Sequence, residues 1–362
     1  MSTIIRSNNY QVFLGNDTFY QLGKFISKSA RHADARKFIL VDDHTRELCL
    51  PLLQQNVASL KDALILEIAS GEASKNIDAI VKLWNDLTVH GADRNSLLVN
   101  LGGGVVSDTG GFTAATYMRG IDFINIPTTL LAMVDASVGG KNGINFGGFK
   151  NQVGTFDEPK AVFVSPVFLK TLPQEEMRSG FAEVIKHALL SGPGKWDEVR
   201  DIKNFESARW FEVIRESIWT KNKIVNSDYR DRHLRKALNF GHTIGHALES
   251  YAQKNYPVPL KHGEAIAIGM IGETFLSGQV CGLPEADVNS ICQFIRKHFS
   301  LPIDFESKAI LDLMKGDKKN SSDKIQFALL RSIGEPVVNQ NTSEEMILRA
   351  LEFCKEKMLV AG

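Results

Sequence analysis

His242 and His246, in the stretch NFGHTIGHALES, stand four residues apart on a segment with helical spacing. Positions i and i+4 lie about one turn apart on one helical face, so both imidazoles can approach a single ion. The HExxH pattern of zinc proteases is absent because Thr243 follows His242. Without that glutamate the usual general base is missing, which argues against a zinc hydrolase. An isolated pair of this kind reads slightly better as hydrogen-bonded core residues, but neighbouring segments add donors. KHGEAIAIGM puts His262 at the start of a helix whose small residues, Ala265 and Gly269, predict close packing. RSGFAEVIKHALL carries Glu183, Lys186 and His187 among Phe181, Val184, Ile185 and Leu189. A carboxylate buried there is costly without a cation. The bland alternative for Glu183 and Lys186 is a surface i, i+3 ion pair, worth about a few tenths of a kcal/mol. Spacing does not choose between Glu183 and His187 as a ligand. One carboxylate, two or three imidazoles and an open position suit a catalytic Zn²⁺.

A second constellation is VNLGGGVVSDTGGFTAATYM, which follows a strand-like run and opens a helix-like one. Gly102, Gly103 and Gly104 allow a ligand close to the backbone, and the helix start offers free N–H groups to a pyrophosphate. Ser107 stands where the common dinucleotide fingerprint has a third glycine or alanine, so the turn alone is a weak signal. FILVDD ends another strand in carboxylates, which can bond a ribose, and IPTTLL puts Thr128 and Thr129 at a further strand end. Together these favour a dinucleotide.

Cations and amides cluster beside glycine: Asp135, Lys141, Lys150 and Asn151 in VDASVGGKNGINFGGFKN, and Arg119 in YMRG. Lys221, Arg235 and Asn239 precede the histidine pair, and GDKKNSSDK carries Lys318 and Lys319. Singly, each is more often a solvated charge. As clusters bordering both the glycine turn and the histidine helix, they predict a substrate with more than one anionic group, such as phosphate plus carboxylate.

The elements that must position these groups fall into two textures. KFILVDD, ALILEIA, SLLVNLGGG and DFINIPTT are continuous apolar runs, as strands buried on both faces should be. Between them, IDAIVKLWNDLTVHG has helical spacing, with Ile77, Ile80, Val81 and Trp84 predicted on one side. This alternation predicts an α/β, Rossmann-like parallel sheet over residues 1–165, followed from about Pro166 by an all-α domain over 166–362. A chain of 362 residues is long enough for two domains, and a ligand site between them is the default expectation. Lys plus Arg and Asp plus Glu number 42 each, so no global field recruits nucleic acid or an acidic membrane. The N-terminal stretch lacks a signal-peptide pattern, and no apolar run approaches a membrane span. Cys49, Cys281, Cys292 and Cys354 are scattered, as reduced thiols of a cytoplasmic protein would be.

As a set and in this order, SGEASK, GGGVVSDTGGFTAATYMRG, PTTLLAMVDASVGGKNGIN, FKNQVGTF, FAEVIKHALL, LRKALNFGHTIGHALE, HGEAIAIGM and GDKK resemble the 3-dehydroquinate synthases of the sugar phosphate cyclase family. The resemblance covers most of the chain. It implies an NAD-binding α/β domain and a helical metal-binding domain. By motif position it makes Glu183, His242 and His262 ligands of a divalent metal, Zn²⁺ foremost with Co²⁺ an alternative, and moves His246 to the substrate phosphate. It implies cofactor contacts from Asp43, Glu72, Lys75, Gly103, Gly104, Val105, Asp108, Thr128, Thr129, Lys150, Phe168 and Thr171. Substrate contacts would come from Asp135, Lys141, Asn151, Lys186, Lys221, Arg235, Asn239, His246 and one lysine of DKK, Lys319 in preference to Lys318. Arg119 matches an arginine that reaches the neighbouring subunit's site, which implies a homodimer.

SDTGGF in place of GDLAGF, Phe149 in place of glycine, and the loop DYRDRHLR depart from the usual pattern without removing a matched ligand. The implied reaction converts 3-deoxy-D-arabino-heptulosonate 7-phosphate to 3-dehydroquinate and phosphate, a lyase step of aromatic amino acid biosynthesis in which NAD is recycled. The competing readings are a metal-dependent polyol dehydrogenase, which needs no carboxylate clamp such as Arg235 with Lys221, a cousin cyclase, and a non-catalytic nucleotide- or metal-binding protein.

Overall fold

A computed structural model describes residues 1–147, 149–299, 304–316 and 325–358. The chain forms two compact units, Met1–Pro173 with Arg209–Asn222, and Gln174–Ala208 with Lys223–Gly362.

Among the described residues the first unit is built on nine strands: β1 (Ser2–Arg6), β2 (Gln11–Gly15), β3 (Lys37–Asp42), β4 (Leu64–Ile68), β5 (Leu97–Gly102), β6 (Asp122–Pro127), β7 (Lys141–Phe146), β8 (Phe149–Phe156) and β9 (Ala161–Val164). Seven make one sheet, in the order β1-β2-β9-β6-β5-β3-β4. Only β1 runs antiparallel to its neighbour. β5 and β6 are buried along their whole length, which is why their sequences show no polar alternation. From β3 the chain moves outward to β4 and then returns to β5 on the other side of β3. The ends of β3 and β5 therefore flank the switch point where open α/β sheets bind ligands.

Five helices connect these strands: α1 (Thr18–Lys28), α2 (Asp43–Leu48), α3 (Leu50–Asn56), α4 (Ile77–Val89) and α5 (Gly104–Thr116). α4 exists where the spacing predicts it, but its buried face is Ile80, Leu83 and Leu87, while Ile77 and Val81 are exposed. The i, i+3, i+7 stripe meets the sheet, and the two aliphatics beside it turn outward. β7 and β8 pair as a separate antiparallel hairpin with Lys141 opposite Phe156.

The second unit contains α6 (Gln174–Ser191), α7 (Pro193–Arg200), the end of α8 (Trp210–Ser227), α9 (His242–Asn255), α10 (His262–Leu276), α11 (Glu285–His298), α12 (Ser307–Gly316) and α13 (Glu344–Met358). Its core helix α10 is buried over nearly every residue and packs on α6, α9 and α13.

Two expectations differ from this arrangement. The second unit is not all-α, because β10 (Phe327–Ser332) and β11 (Glu335–Gln340) form a hairpin whose turn holds Gly334 at φ 94. A cut after residue 165 also misses the return of Arg209–Asn222 to the first unit. That return is held by contacts with no local signature: Asn222 Nδ2 donates to Arg6 O at 2.6 Å, and Lys221 pairs with Asp135. Among the described residues no helix is long and apolar enough to cross a membrane.

Candidate active site

In the first unit the glycine turn is the junction of β5 and α5, with Gly103 as N-cap. Thr128 N donates to Gly102 O at 3.0 Å, tying the end of β6 to the turn. A Cβ on Gly103 would stand 3.1 Å from Thr129 Cγ2, so a side chain would crowd the threonine beside the turn. Behind it, a Cβ on Gly110 would fall 1.9 Å from Asn100 Oδ1, and one on Gly111 1.9 Å from Asn142 Oδ1. Those two glycines let α5 lie close to both the sheet and the hairpin.

Around this turn the structure gathers most of the implied cofactor residues. Asp43 follows β3 and accepts from Ser70 N at 2.7 Å. Lys75 is buried and its Nζ reaches Asp108 Oδ2 and Asn151 Oδ1, each at 2.5 Å. Burial pushes the Asp108 carboxyl above the usual carboxylate range, while the Lys75 ammonium opposes that rise. Glu72 accepts from Asn145 Nδ2 at 2.8 Å, and Asn145 Oδ1 accepts from Asn151 N at 2.9 Å. That bond braces Asn151 at φ 49, a left-handed conformation uncommon outside glycine.

Asp135 and Lys221 form a 2.9 Å ion pair, and Lys221 also donates to Asp135 O at 2.6 Å. Lys141 and Lys150 lie on the hairpin, exposed and half-buried respectively, and Val105 is half-buried in the first turn of α5. Phe168 is instead a core residue, edge-on to Phe19 at 5.9 Å, and Thr171 bonds back to its carbonyl. Arg119 is not brought to the turn. It follows α5, whose thirteen residues span roughly 20 Å. It is exposed, at φ 68, in a cleft with Arg31, Asp122, Asp157 and Lys160.

The second unit converges on a cluster of imidazoles. Glu183 on α6, His242 at the start of α9 and His262 at the start of α10 place one ligand atom each within 4.8 Å of one another. His242 Nε2 stands 3.5 Å and His262 Nε2 3.8 Å from Glu183 Oε1. Atoms bound to one tetrahedral ion at ~2.0–2.2 Å stand ~3.4 Å apart, so these three fit a shared cation. Glu183 is 0% exposed; its Oε2 pairs with the Lys186 ammonium and its Oε1 faces the two imidazoles. Its cationic neighbour is Lys186, itself buried, so this is not a surface ion pair.

The remaining ring nitrogens are oriented away from that focus. His242 Nδ1 faces Phe240 O at 3.2 Å and His262 Nδ1 faces Glu249 Oε2 at 3.3 Å, so in each ring it is Nε2 that faces Glu183. A second grouping of His246, Glu249 and His262 also comes within 4.8 Å, but Glu249 is already engaged with His262 there. His246 lies beside the cluster, its ring 5.2 Å from that of His242 and 5.8 Å from that of His262. Glu183 rather than His187 thus joins the two histidines.

Glycines again explain the approach. A Cβ on Gly263 would meet Ser179 O at 1.9 Å and one on Gly269 would meet Gly241 O at 2.0 Å, so α10 touches both partner helices almost backbone to backbone. Arg235 is buried, with its guanidinium on Tyr229 O at 2.6 Å, and Asn239 ends the 3₁₀ turn that leads to His242. Lys319 and Lys318 lie outside the described residues. Sequence reasoning missed Asn145, Glu249 and Glu273; the one faint signal is a glutamate inside the apolar run GMIGETFL.

A parallel sheet with a glycine turn at its switch point, followed by a helical unit with a carboxylate–imidazole focus, defines a class of two-unit nucleotide- and metal-type folds. Solved structures of similar fold include a 2-deoxy-scyllo-inosose synthase complexed with carbaglucose-6-phosphate, NAD⁺ and Co²⁺, at TM-score 0.86 and 23% identity, covering 98% of this chain and 99% of that one. A 2-epi-5-epi-valiolone synthase from Streptomyces hygroscopicus, with NAD⁺ and Zn²⁺ bound, is similar at TM-score 0.83 and 24% identity, covering 98% and 99%. Residues 65–179 match the family model for the 3-dehydroquinate synthase N-terminal region, and residues 180–320 the one for the C-terminal region. The 3-dehydroquinate synthase of Parabacteroides distasonis is 42% identical over 88% of this chain and 91% of its own length. That of Geobacillus thermodenitrificans is 38% identical over 97% and 96%. The chain belongs to the 3-dehydroquinate synthase family.

Proposed function

We propose that the protein converts 3-deoxy-D-arabino-heptulosonate 7-phosphate to 3-dehydroquinate and phosphate, by transient oxidation, phosphate elimination, reduction and intramolecular aldol closure. The observation that carries this reading is the focus of Glu183, His242 and His262, in which a fully buried carboxylate turns one oxygen to both imidazoles. When bound, NAD supplies a reversible hydride acceptor and a divalent ion supplies Lewis-acid polarisation of a substrate hydroxyl.

This chain's own residues bind and orient. In the first unit, Gly103, Gly104 and Val105 present backbone N–H groups to the dinucleotide phosphates, with Asp43, Glu72, Lys75, Asp108, Thr128, Thr129 and Lys150 around it. Phe168 acts from beneath, as packing, and Thr171 fixes the turn that carries it. Lys141 and Asn151 bond substrate phosphate, and Lys221, held by Asp135, bonds substrate carboxylate. In the second unit Glu183, His242 and His262 hold the ion, Lys186 balances Glu183, Arg235 takes the carboxylate, and Asn239 and His246 take phosphate. Such fixed cations hold the anionic groups in place while several steps proceed. Cleavage of the C–O bond to phosphate makes the enzyme a carbon–oxygen lyase. Arg119, exposed and about 20 Å along α5 from the glycine turn, supports a homodimer in which it serves the partner's site. The four free thiols, three of them buried, fit a reducing cytoplasm.

The test supplies the heptulosonate phosphate with NAD⁺ and Zn²⁺ and follows free phosphate, the carbocyclic product and absorbance of NADH together. Phosphate release with no net NADH is expected. Stoichiometric NADH would indicate a dehydrogenase, a fold relative such as the iron-containing alcohol dehydrogenase of TM-score 0.69 and 15% identity.

A further inference from the structure

The N-terminus of α9 has no cap of its own. Gly241 is the N-cap residue, in the left-handed region at φ 81, and has no side chain to accept the first N–H groups of the helix. His242 is the first helical residue, so the position of its imidazole depends on how this turn is held. A carboxylate from another helix does the holding. Glu273 on α10 is 0% exposed; its Oε2 accepts from Gly241 N at 2.6 Å and its Oε1 from Ile244 N at 3.1 Å. The two bonded residues bracket His242. Glu273 reaches them because α9 and α10 meet through glycine. A Cβ on Gly245 would stand 2.8 Å from Ile266 Cδ1, and one on Gly241 2.4 Å from Met270 Cγ. A buried carboxylate is expensive unless its oxygens are satisfied, and charge-assisted bonds to a helix N-terminus are among the stronger ones.

We propose that Glu273 is a positioning residue for the metal site: by bonding the backbone on both sides of His242, it sets where that imidazole stands relative to Glu183 and His262. The inference rests on the metal reading given above. It assigns the buried charge on α10 to geometry at the ion, beyond general stability of the helix pair. Outer partners that orient ligands typically change metal affinity by about 10- to 100-fold when removed.

Glu273→Gln keeps the size but presents an amide nitrogen to one N–H. Glu273→Asp keeps the charge but is one methylene short. Metal-free forms of the full chain, both variants and His242→Ala would be titrated with Co²⁺ against a chelating competitor. Visible absorption and the melting temperature of each metal-free form would be recorded alongside. Both Glu273 variants are expected to bind Co²⁺ about 10- to 100-fold more weakly, with altered visible bands. Unchanged affinity and bands with a lowered melting temperature would reduce Glu273 to a stabilising cap and overturn the proposal. Weakening in Glu273→Gln alone, with Glu273→Asp unchanged, would assign the effect to charge and overturn it equally. If Glu273→Gln does not fold, Glu273→Asp decides by the same two readouts. His242→Ala binding Co²⁺ as tightly as the unchanged protein would instead remove the metal reading beneath it.

Discussion

At the glycine turn, the proposed binding groups are backbone N–H groups of adjacent residues, so a strand end, three glycines and a helix start suffice to build them. The cluster in the second unit is made of side chains from three helices, and its donors meet only because Gly263 and Gly269 let α10 lie against α6 and α9. Local chain geometry builds the one, and packing builds the other. A site of the first kind should tolerate distant changes and fail on a local Cβ; a site of the second kind should fail at any ligand or at the carboxylates that hold the ligands.

The largest effect belongs to the proposed ligands. His262→Ala is expected to lose retained metal and to lower turnover by roughly 10³-fold or more, since Lewis-acid stabilisation is worth several kcal/mol. Metal analysis after dialysis together with the phosphate-release assay checks it. Full activity in a metal-depleted variant would break the contrast at once.

Lys75→Met is expected to destabilise the first unit by about 3 kcal/mol, because it leaves the partly buried Asp108 carboxylate without its cation. Asp108 already titrates above the usual range in the folded state. Stability tied to its proton is therefore present at low pH and lost as pH rises through the folded value. Removing Lys75 raises that value further, so denaturant melts should show a larger deficit at pH 8 than at pH 5. A deficit independent of pH would mean the two charges are not coupled.

Gly103→Val tests the local site. Its Cβ would crowd Thr129, and its branches would stand beside the backbone N–H groups proposed to bind the dinucleotide. The expected outcome is about a 10- to 100-fold rise in the NAD⁺ concentration needed for half-maximal rate, from about 1–3 kcal/mol of overpacking, with metal content unchanged. Loss of metal in this variant would mean that the two sites are not separable.

The smallest effect is expected at Glu249. Glu249→Gln keeps a hydrogen bond to His262 Nδ1 but removes the charge behind the imidazole, and metal affinity should fall about 10-fold. Competition with a chelator reads it. No change would leave Phe240 O, at His242, as the better-supported orienting partner.

Strands β3 to β6 and the glycine turn were readable because each is a local pattern: an apolar run buried on both faces, then small residues at its end. Strands β1, β2 and β9 carry no such signal, since stretches as short as TIIR, QVFL and AVFV show little periodicity before their neighbours are known. In α4 the spacing puts Ile77 and Val81 on the inner side while the structure exposes them, because an aliphatic stripe does not say which edge of it meets the sheet. Glu249 in LRKALNFGHTIGHALE and Glu273 in GMIGETFL carry no signal of a role in their spacing. Their significance lies in which backbone or ring nitrogen they face, and no spacing rule predicts that.

By itself the amino-acid order determined the alternation of buried strands and helices, the glycine turn, the donors available for a cation and, through its motifs, the family. Only the tertiary structure decided how closely Glu183, His242 and His262 stand, that Arg209–Asn222 rejoins the first unit, and that Glu273 caps a helix not its own. The first set depends on neighbours along the chain, whose geometry the backbone dictates. The second depends on which surfaces of distant helices can come together, and that is settled by the packing of small residues across the fold.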